Sequence, residues 1–168
     1  MAFIPEDGTG IVGANSYADV AFADSYFADR AIAAWSSLTT DAKQAALIAA
    51  TDYIDAVWGP YFKGAQLSET QALQFPRDAF EGLPANLKKA TAEYALRAST
   101  APLAPDIEQH PSGYQVSRKF ERVGPIEERT DFAFLGPGAS RKLLKPYPAA
   151  DLLLRPLLKS TVGRVIRN

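Results

Sequence analysis

A mainly α-helical fold is what this 168-residue sequence predicts: a small bundle of four to five helices with a β-hairpin insertion and an extended C-terminal arm. Three observations predict it. Through most of the first hundred positions apolar residues recur at spacings of three and four, the period of a helix with one buried face. Two β-prone stretches flank the turn pair Gly124-Pro125. From Leu157 onward apolar and basic residues mix at no helical period, with Pro156 and Gly163 interrupting any long helix.

Residues 1 to 16, with Pro5, three glycines and Asn15-Ser16, read as an irregular lead-in, and residues 17 to 101 as the helical body. Asp19 is a suitable N-cap for a first helix reaching about Arg30, with Val20, Phe22, Ala23, Tyr26 and Phe27 on its apolar face. The Ser36 to Thr40 run supplies caps for the longest helix, residues 41 to 58, which Gly59-Pro60 stops. Its apolar face is Leu47, Ile48, Thr51, Ile54 and Trp58, and Asp41, Lys43, Asp52 and Asp55 suit the wetter side. Ser68 with Gln71 has the spacing of a capping box and predicts a short helix ended by Pro76 near Phe75. Pro84 begins a further helix, in which Leu87, Ala90, Thr91, Tyr94, Ala95 and Ala98 align before Pro102.

Residues 102 to 146 read as a Pro-rich connector followed by the hairpin, whose arms hold Tyr114, Val116, Phe120 and Val123 on one side and residues 126 to 134 on the other. A lone hairpin is marginal in water, so this one is expected to lean on the helices or on a neighbouring subunit. Residues 147 to 168 comprise a short helix, 149 to 154, and the arm, the whole chain being a single domain.

The composition, 47% hydrophobic and 22% charged, is that of a soluble globular protein and excludes wholesale disorder. With no cysteine, thiolate chemistry, disulfides and thiolate metal sites are excluded. No signal-like N-terminus and no run of 18 apolar residues is present, so neither secretion by that route nor a membrane span is expected. The net charge of −1 hides an asymmetry. Residues 1 to 100 carry 12 acidic and 7 basic side chains, whereas after Phe132 only Asp151 opposes seven Lys and Arg.

Several motifs invite chemistry and are better read plainly. Gly8, Gly10 and Gly13 match G-x-G-x-x-G, but no strand precedes them and no helix starts directly after, so an ordinary glycine turn is expected. His110 stands alone before Pro111 with no G-x-S-x-G elbow, and reads as an exposed loop residue. The pairs Asp52/Asp55 and Glu127/Glu128 belong to no metal-binding loop and read as a solvated helix face and a polar strand or turn. Tyr26, Phe27, Trp35, Tyr53, Trp58, Tyr61, Phe62 and Phe75 are expected to pack in the core rather than to stack bases, because their half of the chain is acidic. No catalytic residue, metal or cofactor is assigned, and the chain is expected not to be an enzyme.

A set of ordered segments carries a family resemblance. These are Glu6-Asp7-Gly8-Thr9-Gly10, Ala14-Asn15-Ser16-Tyr17 and Ala23-Asp24-Ser25-Tyr26-Phe27-Ala28-Asp29-Arg30, then Ala46-Leu47-Ile48-Ala49-Ala50-Thr51-Asp52-Tyr53-Ile54-Asp55. Gln74-Phe75-Pro76-Arg77, Gly82-Leu83-Pro84, Lys88-Lys89-Ala90-Thr91, Val123-Gly124-Pro125-Ile126-Glu127 and Pro146-Tyr147-Pro148 follow. The chain resembles a phage family labelled putative DnaT-like single-stranded-DNA-binding protein, and that family in turn resembles the head-to-tail adaptors of tailed phages. The label is read here as inherited wording, because no basic, aromatic-rich groove is visible in the sequence.

The resemblance implies a structural adaptor made in the host bacterial cytoplasm and located at the neck of the virion. It would form a homo-oligomeric, dodecameric ring joining the portal protein to a tail or second neck protein, with genomic DNA passing through the lumen without specific binding and no membrane contact. Under this reading Arg155, Leu157, Leu158, Lys159, Arg164, Val165, Ile166 and Arg167 of the arm bind the portal, and Val116, Phe120, Arg122 and Ile126 of the hairpin meet a neighbouring subunit. The alternative is a single-stranded-DNA-binding or replication accessory protein.

Overall fold

The computed structural model describes residues 2–105, 115–122, 127–133 and 145–159. The protein is mainly helical and divides into two compact units, one of Met1–Leu103 with Pro146–Asn168, the other of Ala104–Lys145. Five α-helices lie among the described residues of the first unit: α1 (Val20–Ala28), α2 (Ala33–Ser36), α3 (Thr40–Trp58), α4 (Ala85–Ala98) and α5 (Pro148–Leu154).

Helix α1 starts where its cap predicts, with the Asp19 carboxylate accepting from the Phe22 amide at 2.7 Å. It stops earlier than Arg30. Ile32 N–H donates to the Phe27 carbonyl at 3.0 Å and Ala31 N–H to that of Ala28 at 3.0 Å, the paired closure of a Schellman motif. Ala31 takes the left-handed position this closure needs, at φ +53°. The chain then forms the single turn α2, which is too short to show a period in the sequence and which buries Trp35 against Phe27 with ring centroids 5.1 Å apart.

Helix α3 is capped by the Thr39 hydroxyl and buries Ala46, Leu47, Ala50, Thr51, Tyr53 and Ile54, the stripe that packs on α4. Thr51 is satisfied inside the core: its hydroxyl donates to the Leu47 carbonyl and accepts from the Tyr17 amide. At its C-terminus α3 runs into a 3-10 turn, Gly59–Tyr61, where Pro60 ends the α-helical ladder. Helix α4 follows Pro84 as its phase predicts, with Leu87, Ala90, Thr91, Tyr94 and Ala95 buried and Ala98 half-buried.

Two expectations for this unit need correction. Residues 68 to 75 form no helix. The Gln71 side chain does accept from the Ser68 amide at 3.0 Å, as in a capping box, but its amide group donates to the carbonyls of Leu73 and Pro76. Those side-chain bonds give the backbone an alternative to a helical ladder, and the loop closes around them ahead of a cis Phe75-Pro76 bond. Residues 155 to 159, the start of the expected arm, are likewise not free. Helix α5 packs on α4, a 3-10 turn follows at Arg155–Leu157, and Leu154 and Leu157 are buried while Leu153 and Leu158 pack half-buried against the same core. Much of the apolar surface of these four leucines is covered by the chain's own body, at roughly 25 cal/mol per Å², while Leu152 stays 59% exposed.

In the second unit β1 (Gln115–Arg122) pairs antiparallel with β2 (Glu127–Ala133), from Gln115 opposite Ala133 to Arg122 opposite Glu127, with an irregularity between Val116 and Arg118. Residues 123 to 126, which would join the strands as a hairpin, lie outside the described residues.

Candidate nucleic-acid interface

The N-terminal glycine loop resembles an anion cradle and is already filled. Gly8, Gly10 and Gly13 have φ of +105°, +85° and +87°, and the loop turns the amides of Gly8, Gly10 and Ile11 inward. The acceptor they surround is the chain's own Glu6, 3% exposed, whose carboxylate takes the amides of Gly8 at 3.0 Å, Gly10 at 2.9 Å and Ile11 at 2.9 Å. A phosphate has no place there, and the glycine turn read from the sequence is closed by an internal carboxylate.

The acidic pair of α3 is split by the fold. Asp52 is exposed, whereas Asp55 is half-buried, accepting from the Tyr17 hydroxyl and from the Gln74 amide at 3.0 Å. Burial pushes the Asp55 carboxyl up to about 6, partly offset by those two hydrogen bonds. Placing Asp55 on a wetter face was therefore wrong: it ties α3 to Tyr17 and to the loop before Phe75. His110 lies outside the described residues, as do the side chains of Glu127 and Glu128. Among the described residues no cluster of three or more His, Asp and Glu is arranged to hold a metal. A hollow of about 460 Å³ beside α1, α2 and α3 includes Asp24 and Lys43, and these pair with each other at 2.9 Å.

An open cationic surface forms instead where the end of α3 meets the chain after α5. Phe62 and Leu158 make an antiparallel bridge: Lys63 N–H donates to the Leu157 carbonyl at 3.0 Å and Lys159 N–H to the Tyr61 carbonyl at 2.8 Å. Alternation along this short pairing sends Phe62 into the core and leaves Tyr61, Lys63 and Lys159 exposed, with Arg155 exposed one turn earlier. Tyr61 is 55% exposed, while most of the other aromatic rings weighed above are buried and Trp58 is half-buried. Each lysine reaches across to the opposite segment, Lys63 Nζ to the Pro156 carbonyl at 2.9 Å and Lys159 Nζ to the Pro60 carbonyl at 3.4 Å. Among the described residues no carboxylate lies within ion-pair distance of Lys63, Arg155 or Lys159. An exposed ring with Lys63 and Lys159 at its sides, and Arg155 exposed one turn earlier, is a combination suited to a nucleic-acid strand, with a base on the ring and phosphates on the charges.

The two halves of this ledge are joined from beneath. Trp58 Nε1, next to the Gly59–Tyr61 turn, donates to the Tyr94 hydroxyl at 3.0 Å. Tyr94 donates in turn to Asp151 of α5, whose other carboxylate oxygen accepts from the Tyr147 amide at 3.0 Å. Burial, then the Asp151 carboxylate, holds the Tyr94 phenol far above its ordinary range, so it stays a donor at any working pH.

Of the arm residues assigned from sequence, Arg155 and Lys159 stand on the ledge, Leu157 and Leu158 serve the core, and Arg164, Val165, Ile166 and Arg167 lie outside the described residues. Val116, Phe120 and Arg122 belong to β1, whose side chains are not described, and Ile126 falls outside as well. Lys63 was not singled out in the sequence, and Tyr61, expected to pack in the core, is 55% exposed. A tyrosine and a lysine two apart after a Gly-Pro stop were a usable signal, overridden by the acidic total of the first hundred residues.

A family model described as "Putative DnaT-like ssDNA binding protein" matches residues 1–168. No curated protein matches the chain, and no solved structure matches it. The family match corrects the adaptor reading, with its dodecameric ring, portal and tail partners and unbound genomic DNA: the description names single-stranded DNA, which was the alternative. The physical ground for setting that label aside also fails, since Lys63 of the acidic half and Lys159 of the basic end meet across the Phe62–Leu158 bridge.

Proposed function

Because this chain belongs to the family of DnaT-like single-stranded-DNA-binding proteins, we propose that it binds single-stranded DNA as a replication accessory protein, without catalytic turnover. The observation that carries this reading is the match along residues 1–168. The ledge supports it with a place to bind: Tyr61 stacks a base, and Lys63, Arg155 and Lys159 take flanking phosphates. The strands β1 and β2, read as a hairpin insertion, and the residues after Lys159, read as an extended arm, are part of the same proposal.

The test is fluorescence anisotropy with a labelled deoxythymidine oligonucleotide. Three phosphate contacts give a slope of about −2 in log affinity against log salt, so affinity falls about twentyfold between 50 and 200 mM. Absence of binding at the lower salt contradicts the proposal.

A further inference from the structure

We infer that Arg77, buried against the backbone of Lys63, is a positioning residue of the ledge, an inference that rests on the DNA-binding reading above. Arg77 is 7% exposed, so the donors of its guanidinium must be met inside the fold. They are met largely by the main chain. Nε donates to the carbonyls of Lys63 at 3.0 Å and Gly64 at 3.2 Å, and Nη2 to that of Gly64 at 2.6 Å. On the other side Nη1 donates to the Gln74 carbonyl at 3.2 Å and to the Gln74 side-chain Oε1 at 3.1 Å. A planar fork thus joins two consecutive carbonyls of the ledge segment to the loop before Phe75.

Both main-chain groups of Lys63 are committed as a result, its N–H to the Leu157 carbonyl at 3.0 Å and its carbonyl to Arg77. With the peptide planes on either side held, the direction in which the Lys63 side chain leaves the backbone is held as well. The residues that follow are tied to the same loop. Ala65 N–H donates to Asp78 Oδ1 at 2.7 Å, Asp78 N–H to the Ala65 carbonyl at 3.0 Å, and Leu67 N–H to the Pro76 carbonyl at 3.3 Å. Gly64 lies at φ +73°, where a Cβ would collide with Asp78 and Ala79, so the backbone is pressed against this loop. Without the fork, Lys63 must be ordered at the moment a phosphate binds, and that ordering costs affinity.

The experiment is a double-mutant cycle read by anisotropy with the labelled deoxythymidine oligonucleotide, each affinity being corrected for the folded fraction measured by circular dichroism. Arg77→Lys keeps a positive charge and loses the fork. It should weaken binding about fivefold in the intact chain, the cost of ordering one long side chain, and less than about twofold in a Lys63→Ala background. Where Arg77→Lys does not fold, Gln74→Ala, which removes one side-chain acceptor and leaves the guanidinium in place, should give a smaller loss with the same dependence on Lys63. An equal loss in both backgrounds overturns the inference, because Arg77 then acts on the fold and not through Lys63. No loss in either background overturns it too, as does binding that Lys63→Ala leaves intact, since there is then no contact to position. Failure of the unsubstituted chain to bind overturns the DNA-binding proposal itself.

Discussion

The glycine loop around Glu6 and the ledge around Tyr61 are both surfaces on which an anion would be stabilised, and they have opposite fates. In the loop three inward amides converge on a carboxylate that the chain itself supplies and buries. On the ledge three cations are exposed and, among the described residues, are met only by carbonyl dipoles. The difference teaches that anion-binding geometry marks a binding site only when its charge is left uncompensated. The motif that looks most functional in the sequence, G-x-G-x-x-G, is structural, and the one with no motif at all is available to a ligand.

Removing the internal anion should have the largest effect. Glu6→Ala orphans the amides of Gly8, Gly10 and Ile11, and charge-assisted bonds of this kind make a loss of about 3 kcal/mol in unfolding free energy the expected result. Urea denaturation measures it. A loss below about 0.5 kcal/mol would mean that water replaces the carboxylate at no cost and that the loop is no closed site.

Asp55 is a second carboxylate tied into the fold, held by Tyr17 and Gln74. Its carboxyl is lifted from 3.8 to about 6, chiefly by burial, so the folded chain holds that proton more tightly than the unfolded one. The resulting stabilisation is complete below pH 3.8 and is lost as pH rises through 6, an effect on the order of 3 kcal/mol. Asp55→Asn should remove that slope from the pH dependence of unfolding, compared with the unsubstituted chain from about pH 4 to about pH 7. A variant with the same slope would contradict the assignment.

A smaller effect is expected at the turn after α1. Ala31 sits at φ +53°, a conformation that glycine adopts without cost, so Ala31→Gly should raise stability by about 0.5 to 1 kcal/mol. A small rise in Tm by calorimetry is the readout, and a fall would show that packing of the Ala31 methyl outweighs the backbone strain.

Most of the helical body was legible because its signals are local. Asp19, Thr39 and Pro84 start α1, α3 and α4 as their chemistry predicts, and the buried stripe of α3 follows the spacing of Leu47, Thr51 and Ile54. What stayed hidden depends on contacts far apart in sequence. The Schellman closure at Ala31 lacks the glycine that would announce it. Gln71 honours half of a capping box and then spends its amide on Leu73 and Pro76. Leu157 and Leu158 read from sequence as seeking a partner, and the partner is the chain's own core. The ledge was invisible for the same reason, because Lys63 and Lys159 stand 96 positions apart and only the bridge between Phe62 and Leu158 brings them together.

The central claim is that this bridge assembles a cationic surface for a nucleic-acid strand, and the salt dependence of binding tests it most directly. Lys63→Ala and Lys159→Ala, separately and together, should each flatten the slope of log affinity against log salt by about 0.7, the share of one phosphate contact on a single strand. Because both side chains are exposed, unfolding free energy should stay within about 0.5 kcal/mol of the unsubstituted chain. Binding that keeps its full salt slope in the folded double variant would contradict the account.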